Sequence, residues 1–498
     1  MILPLALYSV TQVRAFDARA IQRQGVSGYE LMQRAGTAAV QLLRAHWPAL
    51  RRALVLCGAG NNGGDGYVVA RLLRRAGYDV ELLALVPISA LTGDARQAAD
   101  DYVRDGGAAR PYGEAPLPEC ELVVDALLGT GFRPPVRAPF AHAINAINAA
   151  GRPVLALDLP SGLDGDSGAA ASPCVRAAVT VSFVALKQGL LLGDGPAMTG
   201  ALYCDDLGVQ LPADESARPT LTRLDTADIG AAMPPRARDT HKGQLGRVLI
   251  VGGNRGMAGA AVLAGEACLR AGAGLVTVAT LPDQAAAIAA QRPELMCRGV
   301  DAANGLAALL AATDVIAIGP GLGRDGWAEA MLAAVLVAGK PLVLDADALN
   351  LIAAGQQTLP PGSIITPHPG EAARLLGCST AQVQADRLLT LRSLIDRRGV
   401  HVILKGAGTL VGAPGQIPAI CLAGNPGMAT AGMGDVLTGA VAAVLAQCRN
   451  SWLASRAAVL AHARAGDALA ARLGERGLLA GDLALELTRQ LNGMATPA

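Results

Sequence analysis

The sequence predicts an α/β protein of two domains, each built on a mainly parallel sheet. Three observations predict it. The chain has 498 residues, enough for two or three domains of usual size. Short apolar runs alternate with Ala/Leu/Arg segments of helical period, the mark of βαβ units rather than repeats or a coiled coil. One polar, proline-containing stretch, 211–239, separates two such blocks and carries Pro212, Asp214, Glu215, Pro219, Pro234 and Pro235. The expected domains are therefore 1–215 and 225–495. Hydrophobic residues make up 52% and charged residues 17%, so large cores can be buried and disorder is disfavoured. Aromatics are only 3%, which leaves packing to Ala, Leu and Val, with 60 glycines for tight turns.

In the first block the strands fall at 53–57, 80–86, 122–126, 154–157 and 179–184, and 67–76 has the pattern of a crossover helix. In the second they fall at 247–251, 275–279, 315–319, 341–345, 363–366 and 402–405. Ligands of such sheets bind beyond the carboxyl ends of the strands. The polar motifs of both blocks sit there, which predicts two separate sites.

Composition excludes several partners. Forty-two basic and 41 acidic side chains leave a net charge of +1, no footprint for nucleic acid or an anionic membrane. The best candidate run for a membrane span, 436–446, is interrupted by Thr438 and Gly439 and preceded by Asp435. It falls short of the roughly 18–20 residues a span requires. The segment 1–10 lacks the charged region and cleavage site of a signal peptide, so a soluble, cytoplasmic protein is expected. A homo-oligomer is compatible with this composition and not required by it. Nine scattered cysteines without a CxxC argue against a disulfide framework and structural zinc. Only four basic residues are lysines, namely Lys187, Lys242, Lys340 and Lys405. Where arginine is the default cation, a retained lysine marks a place that needs a compact ammonium, or else chance.

The first chemistry-bearing motif is Cys57-Gly-Ala-Gly-Asn-Asn-Gly-Gly-Asp-Gly66, which follows a strand and opens a helix. It contains a GxGxxG at Gly58, Gly60 and Gly63, so a dinucleotide-binding fold is the first rival. That fold wants an acidic residue at the end of the second strand, whereas Glu81 lies at the start. Asp65 also puts a carboxylate where pyrophosphate would sit, although on its own it reads more readily as a turn cap. Asp125-Ala-Leu-Leu-Gly-Thr-Gly131 and Asp158-Leu-Pro-Ser-Gly-Leu-Asp-Gly-Asp-Ser-Gly168 end two more strands of the same block. Asn62, Asp125 and Ser161 offer only hard oxygen donors, suited to an alkali or alkaline-earth cation rather than zinc.

The ordered set Gly60–Gly66, Asp125–Gly131 and Asp158–Gly162 resembles the NAD(P)H-hydrate epimerase domain over about residues 8–210. The resemblance implies a Rossmann-like three-layer α/β/α domain. It implies a substrate cradle of Asn61, Asn62, Gly63, Gly64 and Asp65 with Gly129, Thr130, Gly131, Phe132, Arg133, Pro134 and Pro135. Asp158 would then face the hydrated nicotinamide, and Asn62, Asp125 and Ser161 would hold potassium. Lys187 matches the family's lysine near a strand end, and Ser167 stands where threonine is more usual. Epimerisation at C6 needs proton transfer, which assigns acid/base chemistry to Asp158 with help from Lys187. A purely orienting Asp158 is the equal alternative.

The second motif, Asn425-Pro-Gly-Met-Ala-Thr-Ala-Gly-Met-Gly-Asp435, leads straight into the apolar run. Glycine amides at a helix N-terminus form an anion site. Asp435 beside it would repel phosphate and makes sense as a base for an attacking hydroxyl, or else as a partner of the helix dipole. Upstream stand Lys405-Gly-Ala-Gly-Thr409, Thr366-Pro-His-Pro-Gly-Glu371, Gly319-Pro-Gly-Leu-Gly323 and Leu344-Asp-Ala-Asp-Ala-Leu-Asn350. His368, between two prolines, is aimed at a pocket or is an ordinary turn residue. There is no Walker A sequence.

Together with His241-Lys-Gly243 and Arg270-Ala-Gly-Ala-Gly-Leu275, these motifs resemble the ribokinase-like ADP- or ATP-dependent NAD(P)H-hydrate dehydratase over about residues 225–492. The resemblance implies a C-terminal ribokinase-like α/β domain. Lys405, Gly406, Ala407, Gly408, Thr409 and Gly434 would hold the nucleotide, and Ala260, Gly323, His368 and Asp435 would face the hydrated nicotinamide. Ala431 occupies a place where glycine is also common. The implied enzyme is an isomerase and lyase for NADHX and NADPHX, using ADP or ATP with Mg²⁺ and K⁺. Its rivals are a ribokinase-type small-molecule kinase fused to a Rossmann-like binding domain, an NAD-dependent dehydrogenase, and a non-enzymatic scaffold. The kinase would release a stable phosphorylated product, the dehydrogenase leaves the second block unexplained, and the scaffold has little use for Asp435 beside an anion hole.

Overall fold

The computed structural model describes residues 3–113 and 116–493. The chain divides into two compact units, Met1–Leu221 and Thr222–Ala498. The outer limits expected for the domains, residues 1 and 495, lie outside the described residues.

The first unit carries a seven-stranded sheet in the order Ala109–Pro111, Asp79–Ala84, Arg52–Cys57, Leu122–Ala126, Val154–Leu157, Val179–Phe183 and Ala201–Asp205. All its ladders are parallel. Alternate residues of one strand feed different cores. Val55 and Cys57 pack with Val68, Val69 and Tyr102 on one face, while Leu54 and Leu56 pack with Ile144 and Ile147 on the other. Three layers result, with helices Gly28–His46, Asn61–Arg75 and Gly93–Arg104 on the first face and Ala138–Ala149 on the second. Two glycines permit the close approach of helix Asn61–Arg75. A Cβ on Gly36 would lie 2.4 Å from Val68, and one on Gly66 would lie 2.5 Å from Ala126.

In the second unit the strands run Ala419–Ile420, Leu410–Gly412, His401–Leu404, Ile364–Ile365, Leu342–Leu344, Val315–Ile318, Arg247–Val251, Leu275–Thr280 and Met296–Gly299. The ladders from His401–Leu404 to Met296–Gly299 are parallel, and Leu410–Gly412 is antiparallel to both of its neighbours. Helix Met433–Cys448 is apolar all round because it is buried all round, from Val436 through Ala446. It crosses helix Ala258–Arg270 so closely that a Cβ on Gly439 would lie 2.0 Å from the Ala264 carbonyl. Among the described residues no helix is long and apolar enough to cross a membrane.

Every strand expected from the sequence is present, within two residues at each end. The additional strands escape the sequence pattern for two reasons. Ala109–Pro111, Ala201–Asp205 and Met296–Gly299 are half-exposed edge strands, without the unbroken burial that marks the central ones. Leu410–Gly412 and Ala419–Ile420 are buried, yet too short for a period to show.

Candidate active sites

In the first unit a cavity of about 670 Å³ opens at the carboxyl ends of the strands. Asn61, Asn62 and Asp65 from the start of helix Asn61–Arg75 line it, together with Gly129, Thr130, Gly131, Phe132, Asp158 and Lys187. Gly63 and Gly64 stand behind this wall, where their missing side chains admit the Gly58 carbonyl and Met32. Arg133, Pro134 and Pro135 lie outside the cavity lining, on an exposed turn.

Asp158 and Lys187 form a buried ion pair. Lys187 is 1% exposed and donates to the Asp158 carboxylate, to Ser182 Oγ at 3.2 Å and to the Phe183 carbonyl at 2.8 Å. Asp158 Oδ1 also accepts from the Phe183 amide at 3.1 Å. The backbone of Asp158 is left-handed, at φ 64°, as is that of Val184, at φ 67°, on the same cavity wall. Such conformations cost free energy and gather at functional sites. Asp65 is buried in its helix rather than capping a turn. Burial, with Asp158 and Asp17 nearby, pushes its carboxyl far above the usual range.

Behind the cavity lies a nest of oxygens. Asp125 is fully buried and accepts from the Ser161 amide at 2.8 Å and the Ser161 hydroxyl at 2.6 Å. Burial pushes its carboxyl up to about 6. Asn62 Nδ2 donates to the Leu128 carbonyl at 3.0 Å, while Asn62 Oδ1 is buried with no hydrogen-bond partner. Glu81 is ion-paired with Arg110, so the ribose ligand of a dinucleotide fold is already engaged.

In the second unit Lys405, just beyond strand His401–Leu404, reaches Asp345 Oδ1 at 2.6 Å and Glu371 Oε2 at 3.9 Å. Thr438 Oγ1 donates to Asp345 Oδ2 at 2.8 Å. Burial disfavours the Lys405 ammonium, but Asp345 and Glu371 outweigh it and raise the lysine above its ordinary value. A Cβ on Gly434 would lie 3.3 Å from Lys405 Nζ, so the glycine backbone and the ammonium border the same space. Asp435, in the first turn of helix Met433–Cys448, is pushed up to about 7 by burial first and then by Asp345 and Asp347, against Lys405. The Gly323 amide donates to Asp347 at 3.0 Å, tying the Gly-Pro-Gly-Leu-Gly turn to the same carboxylates. Ala260 lies beside that turn, 3.1 Å from a Cβ placed on Gly321. His368 is an exposed helix N-cap. Its Nδ1 accepts from the Gly370 amide at 3.0 Å, and Glu371 returns a bond to its backbone at 2.8 Å. Burial, Lys405 and Arg374 lower its pKa.

Residues 28–189 match the family model described as YjeF-related protein N-terminus, and residues 248–489 match NAD(P)H-hydrate dehydratase. A Coxiella burnetii protein named bifunctional NAD(P)H-hydrate repair enzyme is 45% identical over 477 residues, 96% of this chain and 97% of that protein. The chain belongs to the bifunctional NAD(P)H-hydrate repair enzyme family. The protein of that name from Escherichia coli is 42% identical, covering 99% of this chain and 95% of its own. Among solved structures, a ribokinase-like superfamily protein from Enterococcus faecalis is 31% identical with a TM-score of 0.51, covering 58% of this chain and 100% of that one. The ribokinase-like fold of the second unit agrees with it.

For this repair-enzyme family member, sequence reasoning passed over three residues that the fold brings to the sites. Asp17 lines the first cavity from helix Val10–Arg23, four residues after buried Val13 and three before buried Ala20. An acid on an apolar stripe was a readable signal. Arg387 is buried, and its guanidinium donates to the carbonyls of Leu404 at 3.2 Å, Lys405 at 3.3 Å and Gly408 at 3.2 Å, fixing the loop that follows Lys405. His462 bonds the Met433 carbonyl at 2.9 Å beneath the first turn that bears Asp435. Neither of these two stands in a motif. Of the four lysines, Lys187 and Lys405 pair with carboxylates at the sites, whereas Lys340 bonds the Thr313 carbonyl and Lys242 opens a short surface turn.

Proposed function

We propose that the protein repairs hydrated nicotinamide cofactors. The first unit interconverts the R and S epimers of NADHX and NADPHX, and the second dehydrates the S epimer with ADP, or ATP, as phosphoryl donor. The observation that carries the reading is Asp435. A carboxyl pushed up to about 7 beside Lys405 and the Gly432–Gly434 backbone is a base poised at neutral pH next to an anion site.

Asp435 takes the proton of the C6 hydroxyl, which attacks the terminal phosphate of the nucleotide. The amides of the helix start and the Lys405 ammonium bear on the phosphoryl charge. Phosphate then leaves from C6 far more readily than hydroxide, C5 gives up a proton, and the C5=C6 double bond of the dihydronicotinamide is restored. Lys405, Gly406, Ala407, Gly408, Thr409 and Gly434 hold the nucleotide in this proposal, supported by the Arg387 anchor beneath their loop. Ala260, Gly323, His368 and Asp435 face the hydrated ring. Lys405 occupies the space between Asp345 and Glu371, so no free carboxylate pair awaits a metal there. Mg²⁺ would come bound to the nucleotide and would supply charge neutralisation of the phosphates.

In the first unit, Asn61, Asn62, Asp65 and Gly129 to Phe132 form the substrate cradle with Gly63 and Gly64 behind them, and Asp158 with Lys187 handles the proton at C6. Asn62, Asp125 and Ser161 fit potassium, because the orphaned Asn62 Oδ1 and the buried Asp125 carboxylate both lack a cation. The ion would supply the positive charge that holds the Asp125 and Ser161 turns behind the substrate. We place the enzyme in the cytoplasm, where the cofactor pools it repairs are used.

The test is recovery of dihydronicotinamide absorbance when the purified protein meets mixed NADHX epimers, with ADP, ATP and Mg²⁺ each present or absent. Nucleotide-dependent recovery of both epimers is expected. A stable phosphorylated product without recovery would overturn the reading in favour of a small-molecule kinase.

A further inference from the structure

Epimerisation at C6 has a requirement that one carboxylate does not meet. The hydroxyl leaves from one face of the ring and oxygen returns on the other. As the C6–O bond breaks, the ring nitrogen lone pair forms an N1=C6 double bond, and the departing oxygen needs a proton to leave as water. A second water then forms the new C6–O bond on the opposite face, gives up a proton, and the electron pair returns to nitrogen. One proton is delivered and one is removed, on opposite faces, with no change of oxidation state. Two groups are needed, and they exchange roles in the reverse direction.

Asp158 with Lys187 is one such group. We propose that Asp17 is the other, acting on the C6 oxygen from a different wall of the same cavity. The inference rests on the epimerase reading of the first unit. Asp17 projects from helix Val10–Arg23 and Asp158 from the end of strand Val154–Leu157, and both line the cavity. Asp17 sits on the helix face that buries Val13, Phe16 and Ala20, yet among the described residues its carboxyl makes no hydrogen bond or ion pair. A half-buried, unpartnered carboxyl on a core-facing stripe is a cost to folding that a structural role does not repay. It is available to a ligand instead. Burial first, then Asp158 against Lys187 and Arg14, pushes it up to about 6, which keeps a proton within reach near neutral pH. Asp65 is buried more deeply, within its own helix.

The experiment uses the full chain with separated R and S epimers, and heavy-oxygen water as a label. Recovery of the S epimer reads the second unit and serves as the control. Asp17→Asn is expected to slow conversion of R to S by about 100-fold or more, within the range for loss of a general acid–base group. Titration of the R epimer should show that the variant still binds it, and Asp17→Glu should restore part of the rate. Solvent oxygen should enter the C6 hydroxyl of the wild-type product. Wild-type epimerisation by Asp17→Asn, or a loss of rate matched by a loss of R-epimer binding, would overturn the assignment alone. Retention of the original oxygen would overturn the route. A wild-type protein that recovers only the S epimer would overturn the epimerase reading and this inference with it.

Discussion

The Lys405 ammonium lies 2.6 Å from Asp345 Oδ1, while the other oxygen of that carboxylate accepts from Thr438 at 2.8 Å. The three side chains tie a strand end, a second strand end and the buried helix into one unit beneath the anion site. Removing the cation leaves Asp345, 1% exposed, without its counter-charge. Lys405→Met is therefore expected to abolish dehydration and to destabilise the second unit by about 3–5 kcal/mol. Adding Asp345→Asn should recover stability in urea titrations without recovering activity.

Asp435 is expected to give the dehydratase its pH profile. Only the ionised carboxylate accepts the hydroxyl proton, so the rate at low substrate should fall tenfold per pH unit below about 7. Stability runs the other way. The folded-state value is raised, so the contribution is full below the unfolded value near 3.8 and is lost as pH rises through about 7. Melting of Asp435→Asn should therefore match wild type at acid pH and exceed it at alkaline pH, and equal melting at alkaline pH would refute the shift.

Asp158 offers a clean substitution, because asparagine tolerates its left-handed backbone better than alanine does. Asp158→Asn is expected to reduce R-epimer recovery by about 100-fold or more while S-epimer recovery persists. It also strands the buried Lys187 ammonium. The double variant with Lys187→Met should melt higher than the single one and remain inactive in epimerisation.

Potassium binding can be read without substrate. Replacing K⁺ by a bulky organic cation should lower the melting temperature of the first unit, since an ion that binds only the folded state stabilises it by mass action. Asn62→Ala and Ser161→Ala should lose that dependence. A wild-type protein indifferent to K⁺ would remove the ion from the proposal.

Arg387 is expected to act on the nucleotide through the loop it holds. Arg387→Met should raise the nucleotide KM by about tenfold or more, the cost of one or two charge-assisted hydrogen bonds. Arg387→Lys, which cannot reach three carbonyls at once, should recover only part of it.

Much of this was legible in the chain because each βαβ unit announces itself locally. Apolar runs of strand length, glycine turns and polar strand ends placed Asp125, Asp158, Lys405 and Asp435 correctly at the carboxyl edge. Asp65 was harder to read. Its neighbours suggested a turn, but the helix begins at Asn61 and carries it inward. Gly63 and Gly64 look like cradle glycines in the motif, whereas the fold uses their missing side chains for packing against Gly58 and Met32.

By itself the sequence determined two α/β units, their strand ends, and the two glycine-rich motifs that carry the chemistry, because periodicity, turn residues and motif order are local properties of the chain. Only the tertiary structure decided which charges meet. Asp17 lines the same cavity as Asp158 although more than a hundred residues separate them, Lys405 finds Asp345 sixty residues away, and Arg387 reaches under a loop it does not belong to. Such pairings follow from sheet order and helix crossing, and burial then sets the proton affinities of Asp17 and Asp435. None of these is encoded at any single position.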